Sequence, residues 1–133
     1  TLDEWMEGMD RVARMAYEGS GLRPEDVDIF NPYDGLSPFL PFALEAFEWH
    51  GVKRGDAKDF VKGDISFEGP HPYFSVGGNL GNGPTRPAMY IDSIEQLRGT
   101  AGKRQVTVKA ETAICAYAPA LTAWYLCLSN SLP

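Results

Sequence analysis

The stretch GLRPEDVDIFNPYDGLSPFLPFALEAF, residues 21–47, decides the fold. Residues 27–31 alternate apolar and polar side chains, which is the pattern of a β-strand. Residues 32–38 contain proline, aspartate, glycine and serine, which predicts a tight turn. Residues 39–49 are apolar nearly all round and predict a buried helix, with Ser37 as its N-cap and Pro38 as its first residue. A strand that turns directly into a buried helix is typical of a layered α/β domain.

The rest of the chain continues this α/β pattern. Upstream, apolar residues at three- and four-residue steps predict an amphipathic helix that ends at Gly19-Ser20-Gly21. Downstream, the patterns predict a short helix, a strand, a longer helix and two buried strands forming a central hairpin, over residues 55–62, 73–76, 85–99, 112–117 and 121–128. On the longer helix, the apolar face is expected to comprise Pro87, Tyr90 or Ile91, Ile94 and Leu97. The predicted fold class is α/β, a layered mixed β-sheet with helices packed on it, in one domain of residues 1–133.

Composition and charge exclude several classes of function. The net charge is −6 and the 12 Lys and Arg residues are scattered without forming a basic stripe, so a nucleic-acid partner is not expected. No apolar run approaches the roughly 20 residues of a membrane span. The first residues carry no signal peptide, so a cytoplasmic location is expected. The chain opens on Thr1 without an initiator Met, which favours a processed chain or a fragment.

The cysteines and histidines do not have the spacing of a metal site. Cys115 and Cys127 lie in apolar segments and are expected to be free buried thiols. His50 and His71 stand far apart in the sequence, and no Cys-x-x-Cys or Cys-x-x-His pair occurs. We therefore predict no metal centre, and we expect His71 to be a solvated loop residue.

Three segments in this order resemble the carboxyl-terminal domain of the thiolase superfamily, in particular thiolases of the sterol-carrier and nonspecific lipid-transfer-protein type. They are residues 21–47, quoted above, FSVGGNLGNGP at 74–84 and IDSIEQLRGTAGKRQV at 91–106. Together they cover most of positions 20–128. The resemblance implies a thiolase-like half whose partner half, which bears the family's nucleophile, is absent from this sequence.

The resemblance also implies catalytic residues at two places. Tyr33 of Tyr33-Asp34-Gly35-Leu36-Ser37 stands where the family has the first residue of an N-E-A-F or H-D-C-F motif, a hydrogen-bond donor to the thioester carbonyl. A phenol is also a donor. The family's acid/base cysteine in the final hairpin lies near Cys115, although alignment from the chain end places Tyr117 there instead. A packed aromatic at Tyr33 and a structural thiol at Cys115 are the alternatives.

Taken alone, the glycine-rich loop is a flexible turn, but the resemblance implies that it lines the cavity and contacts the substrate through Gly77, Gly78 and Asn79. The family's Gly-His-Pro motif would follow, but no histidine occurs between Gly77 and Pro87. This departure puts ordinary thiolysis in doubt.

The resemblance implies the carboxyl-terminal part of an enzyme that acts on acyl-CoA thioesters, by acyl transfer, thiolysis or retro-aldol cleavage, in lipid or steroid side-chain metabolism. The alternative is a non-catalytic thiolase-like subunit that binds or shapes an acyl-CoA site in a partner. Coenzyme A would enter as the substrate thioester, and no covalently bound cofactor is expected. The expected partner is the amino-terminal thiolase half, a second thiolase-fold subunit or a small OB-fold protein, and the chain alone is not expected to be active.

Overall fold

A computed structural model of the chain describes residues 1–78, 86–117 and 124–131. The helices in these ranges are α1 (Leu2–Ser20), α2 (Phe39–Ala46), α3 (Ala57–Phe60) and α4 (Arg86–Arg98). The strands are β1 (Ile29–Pro32), β2 (Thr112–Tyr117) and β3 (Trp124–Ser129). Single 3-10 turns cover Pro24–Asp26, Trp49–Gly51 and Gly102–Arg104. The predicted α/β class is confirmed.

The described strands form one mixed sheet in the order β1-β2-β3. β1 runs parallel to β2, with Pro32 opposite Ala116, and β2 runs antiparallel to β3, with Tyr117 opposite Trp124. Because parallel strands run in the same direction, β1 and β2 end at the same edge of the sheet. Tyr33 directly follows β1 at this carboxyl edge, and Tyr117 ends β2.

Helices cover both faces of the sheet. On one face, Phe30 and Ile114 belong to the main core, which α1 and α2 complete with residues such as Met9 and Leu44. On the other face, the alternate strand residues Ile29 and Ala113 pack against Val106 and the end of α4. This division follows from the strand period of two, which sends successive side chains to opposite faces.

Helix α1 begins and ends with standard capping. Thr1 and Glu4 form a capping box at its start. At its end, Gly21 has φ 72°, and its amide donates to the Tyr17 carbonyl at 2.9 Å. Of the cluster predicted to end the helix, Gly21 is therefore the residue that does so, since a left-handed conformation favours glycine.

Helix α2 is shorter than predicted at both ends. The expected N-cap at Ser37 is wrong: a turn closed by the Leu36 carbonyl and the Phe39 amide moves the cap to Pro38, which makes no side-chain cap. The helix ends at Ala46, because Glu48 adopts φ 45° and turns the backbone out of the helical conformation.

Two strand predictions also need correction. The expected strand 73–76 is reduced to a single bridge between Tyr73 and Phe30, because Phe74 turns the chain with φ 61°. The final two strands pair as predicted, but they are not both central and buried. β3 lies at one edge of the described sheet and is only partly covered, with Leu126 38% exposed.

Helix α4 buries a face rotated from the expected one, although the expected residue Leu97 does pack, partly buried, against the core. Ile91, assigned to the apolar face, is 55% exposed, while Asp92, Ser93 and Gln96 are buried with Met89. These polar side chains find hydrogen-bond partners in the interior, as buried polar groups must. None of the described helices has the length and apolarity needed to cross a bilayer.

Candidate active site at the carboxyl edge of the sheet

Tyr33 and Tyr117 lie side by side at the carboxyl edge. The Tyr33 amide donates to the Ala116 carbonyl at 2.8 Å, which extends the parallel ladder by one residue beyond β1. The two phenol rings have their centroids 4.6 Å apart at 60°. Both side chains are partly exposed. Two residues that the resemblance placed in separate motifs are thus brought into ring contact by the register of β1 and β2.

The turn after β1 fixes the direction of the Tyr33 ring. A methyl group at Gly35 would lie 2.6 Å from both Cζ and Oη of Tyr33, so the phenol lies directly over this glycine. On its other side, the ring packs near Phe39 at the start of α2, with centroids 6.4 Å apart. The absence of a side chain at Gly35 is therefore what lets the phenol take this position.

Aromatic rings from β3 and α4 support Tyr117. Trp124 stands opposite Tyr117 in the hairpin register and stacks on it, with centroids 5.5 Å apart and planes 13° apart. Tyr90 of α4 contacts Trp124 at 5.2 Å. Offset stacking of this kind is favourable and holds a ring in one orientation.

The glycine-rich segment approaches the same turn. Gly77 and Gly78 have φ 83° and 99°, backbone conformations that residues other than glycine rarely adopt. A methyl group at Gly78 would lie 2.8 Å from Oδ2 of Asp34, the buried residue after Tyr33. The structure thus brings Gly78 next to the tyrosine turn, and Asn79, the third predicted contact residue, lies outside the described residues.

Cys115 lies behind this edge and not at it. Its side chain is fully buried, with Sγ 3.2 Å from Oγ of Ser93 and 3.4 Å from the Met89 carbonyl. Burial raises the pKa of the thiol to about 11, although the Ser93 hydrogen bond opposes the shift. A thiol in this setting stays protonated near neutral pH, and burial behind the edge favours the structural alternative for Cys115 over the acid/base role, which stays a prediction.

A buried polar cluster lies beneath the edge, and it was not predicted from the sequence. Asp92 of α4 is 1% exposed and accepts hydrogen bonds from Ser75 and Asn31, while Asn31 also donates to Ser93. Arg104 approaches from the protein surface and pairs with the Asp92 carboxylate. The available signal was the helical spacing of four residues on one face of α4: Met89, Asp92, Ser93 and Gln96. A face with three polar residues, however, usually indicates contact with solvent.

The two histidines form a separate cluster around Trp49. The rings of His50 and His71 lie 4.6 Å apart, and Nδ1 of His71 is buried without a hydrogen-bond partner. The expectation of a solvated His71 is therefore wrong. Burial and the neighbouring His71 lower the pKa of His50. Across the described residues, no group of three or more His, Cys, Asp and Glu side chains could hold a metal ion.

The α/β layers and the polar carboxyl edge define a thiolase-type domain, and comparison with known families agrees. Residues 2–121 match the family described as thiolase C-terminal domain-like, and the chain belongs to this family. The resemblance to the sterol-carrier type is confirmed as well. The chain is 36% identical over 113 residues to the 17-hydroxy-3-oxo-4-pregnene-20-carboxyl-CoA lyase of Mycobacterium tuberculosis (strain ATCC 25618 / H37Rv), covering 80% of this chain and 29% of that protein.

Other relatives point the same way. Sterol carrier protein 2 of Oryctolagus cuniculus is 35% identical over 108 residues, which span 76% of this chain and 20% of that protein. The solved structure of the Ltp2-ChsH2(DUF35) aldolase superposes with a TM-score of 0.73 and 25% identity, over 91% of this chain and 31% of that one. The chain thus spans less than a third of the length of each of these relatives.

Proposed function

We propose that the chain is the carboxyl-terminal part of a thiolase-fold enzyme that cleaves a carbon–carbon bond in a β-hydroxyacyl-CoA thioester of lipid or steroid metabolism. The reaction would be a retro-aldol cleavage. The observation that carries the proposal is the contact of Tyr33 and Tyr117 at the carboxyl edge, 4.6 Å between ring centroids. Two phenols, one beside the other, can serve the two oxygens of a β-hydroxyacyl thioester.

The two phenols would have different roles. Tyr33 donates a hydrogen bond to the thioester carbonyl oxygen, on which negative charge develops as the bond breaks. Tyr117 is the general base that takes the proton of the β-hydroxyl group. The carbon–carbon bond electrons then form the enolate of the shortened acyl-CoA, and the former hydroxyl carbon leaves as a ketone. Tyr117 returns the proton to the enolate carbon, so the reaction is balanced without any further reagent.

The chemistry at the edge favours this cleavage over thiolysis. Thiolysis in this family uses a histidine and an acid/base cysteine contributed by the carboxyl half. Here Tyr117 occupies the edge in place of a thiol, and Cys115 is buried with a raised pKa. The names of two relatives, a carboxyl-CoA lyase and an aldolase, describe lyase chemistry on those proteins.

The substrate would bind as its CoA thioester, without a covalently attached cofactor. Gly77, Gly78 and Asn79 are the proposed contact residues, because the left-handed backbone of Gly77 and Gly78 brings the loop to the tyrosine turn, where Gly78 lies beside Asp34. The rest of the site would come from an amino-terminal thiolase half or a second thiolase-fold subunit, and a small OB-fold protein could complete the assembly. The small share of the relatives' length that this chain spans supports such a division.

A non-catalytic subunit is the second candidate, and one observation favours it. The sequence has no histidine where the family has Gly-His-Pro, so one of the family's usual donors is missing. Such a subunit would bind or shape an acyl-CoA site in its partner without turnover of its own residues.

The test compares two reactions on the complete protein that carries this chain. A β-hydroxyacyl-CoA with a tertiary hydroxyl group should release a ketone and a shortened acyl-CoA, while a 3-ketoacyl-CoA with free CoA should not be thiolysed. Tyr33→Phe and Tyr117→Phe should each lower turnover by about 100-fold or more, the usual loss for one such group. Tyr17→Phe is the matched control, since it also removes the hydroxyl of a partly buried tyrosine, one bonded to the Phe47 carbonyl at 2.6 Å.

The outcomes separate the candidates. Ketone release that depends on both edge tyrosines supports retro-aldol cleavage. Turnover that survives both substitutions would assign the chemistry to the partner and support the non-catalytic subunit. Thiolysis without ketone release would overturn the proposal.

A further inference from the structure

Asp92 is a buried carboxylate with an unusually complete set of donors. Its Oδ2 accepts from Oγ of Ser75 at 2.5 Å and from Nδ2 of Asn31 at 3.2 Å. Its Oδ1 accepts from the Arg104 guanidinium and, at 3.5 Å, from Nε2 of Gln96. Because Asp92 is only 1% exposed, its carboxylate depends on these protein donors and not on water.

Asn31 extends this set of bonds to further segments. Its Oδ1 accepts from the Val76 amide at 3.4 Å, and its Nδ2 donates to Oγ of Ser93 at 2.9 Å. Oγ of Ser93 in turn lies 3.2 Å from Sγ of Cys115. A continuous chain of polar contacts therefore joins β1, β2, α4 and the segment that enters the glycine-rich loop.

Three members of this cluster each precede a residue of the candidate active site by two positions in the sequence. Asn31 precedes Tyr33 by two residues, Ser75 precedes Gly77 by two, and Cys115 precedes Tyr117 by two. Cys115 and Tyr117 both lie in β2, where two residues of an extended strand span about 6.8 Å. The cluster therefore holds each of the three segments that build the site, at a residue two positions before the one that lies at the site.

We infer that Asp92 is a positioning residue of the active site, with Arg104 as its counter-ion. This inference rests on the proposed function, because it assigns Asp92 the task of holding the two phenols and the glycine turn in one relative geometry. A carboxylate suits the task because it offers two oxygens and about four acceptor sites, and no competing donor. An amide in its place would turn an NH₂ group toward the donors of Ser75, Asn31 or Arg104.

The charge itself contributes to the arrangement. A buried carboxylate is unfavourable unless it is paired and hydrogen-bonded, so Arg104 and the polar donors are needed together. Arg104 keeps 47% of its side chain exposed and also binds Glu95 of the same helix at 3.0 Å. Within the described part of the chain, the Glu95 side chain is linked to the cluster below the edge only through this shared arginine, which makes it a suitable control position.

The experiment compares Asp92→Asn with Glu95→Gln in the complete protein. Both substitutions replace a carboxylate on α4 by its amide, and both remove a partner of Arg104. Asp92→Asn should lower kcat by about 100-fold while changing KM for the thioester by less than about threefold, since a displacement of about 1 Å at reacting groups has that effect. Glu95→Gln should leave both constants unchanged.

Hydrogen exchange provides a readout that does not depend on turnover. The Val76 amide is bonded to Asn31, which Asp92 holds, so its exchange should become at least about tenfold faster in Asp92→Asn and stay unchanged in Glu95→Gln. If the wild-type protein proves to have no lyase activity, the proposed function fails, and the exchange measurement alone decides the positioning role.

A second variant covers the case in which Asp92→Asn does not fold. Ser75→Ala removes one donor from Asp92 and keeps the ion pair with Arg104, and it should lower kcat by about tenfold with a nearly unchanged melting temperature. Arg104→Lys should retain more activity than Arg104→Gln, because it keeps the positive charge. A folded Asp92→Asn or Ser75→Ala protein with wild-type kcat and wild-type exchange at Val76 would overturn the inference.

Discussion

Gly35 offers the sharpest test of the edge geometry. Gly35→Ala would place a methyl group 2.6 Å from Cζ and Oη of Tyr33. Because carbon atoms pack at about 3.5–4.0 Å, the phenol must move by about 1 Å or more. The Gly35 backbone does not need the left-handed region, and the Tyr33 side chain can rotate away, so the free energy of unfolding should fall by only about 1 kcal/mol.

Turnover should respond far more strongly than stability. A displacement of about 1 Å at a reacting group lowers the rate by about 100-fold, so Gly35→Ala should reduce kcat by that order in the complete protein. Gly8→Ala is the matched control: Gly8 lies inside α1 with nothing within 4 Å of the new methyl group. It should raise stability by about 0.5–1 kcal/mol and leave kcat unchanged.

The measurement pairs urea unfolding with ketone release for the two variants. Wild-type turnover in folded Gly35→Ala would show that the position of the Tyr33 phenol does not matter, and the assignment of Tyr33 as the carbonyl donor would then be refuted. A large loss of stability in this variant would instead show that the ring cannot move aside.

Two further predictions concern pH. Burial raises the pKa of Cys115 to about 11, so its contribution to stability is present below the ordinary thiol pKa of about 9 and is lost as pH rises from there toward 11. In chemical denaturation, the difference in stability between wild type and Cys115→Ala should therefore shrink between these two pH values. Turnover near neutral pH should be the same in both proteins. Burial, and after it the neighbouring His71, lowers the pKa of His50, so the contribution of His50 to stability is present above the ordinary histidine pKa and is lost as pH falls through the folded-state value. Acid unfolding, followed by the fluorescence of the buried Trp49, should therefore depend less steeply on pH in His50→Gln than in wild type. The same pH dependence in both proteins would contradict this assignment.

Local signals in the sequence were sufficient for most of the fold. The strand before Tyr33 and the turn after it are marked by alternation, proline and glycine, and these signals depend only on near neighbours. The end of α2 was placed too late, because the left-handed backbone of Glu48 has no marker in its residue type. The loss of a strand at Tyr73–Val76 likewise follows from φ 61° at Phe74, a conformation that aromatic residues seldom adopt.

The candidate site was only partly predictable, because its parts meet through long-range register. The resemblance named Tyr33 and Tyr117 separately, but their contact depends on the pairing of Pro32 with Ala116 across the sheet. The cluster around Asp92 was missed because aspartate on a helix normally faces water. Only the partners that the other segments supply make that position buried, and those partners are not visible from the helix alone.

The parallel pairing of β1 and β2 also has a consequence for synthesis on the ribosome. Asp28 donates its amide to Oγ1 of Thr112, a residue 84 positions further along the chain, and β1 has no neighbouring strand in the described sheet until β2 emerges. Pairing over such separations is slow, since the intervening loop must close first. The nascent chain therefore exposes the apolar face of α1 and the unpaired strand β1 until β2 has left the tunnel. A chaperone or a companion domain would protect these surfaces from aggregation during this interval.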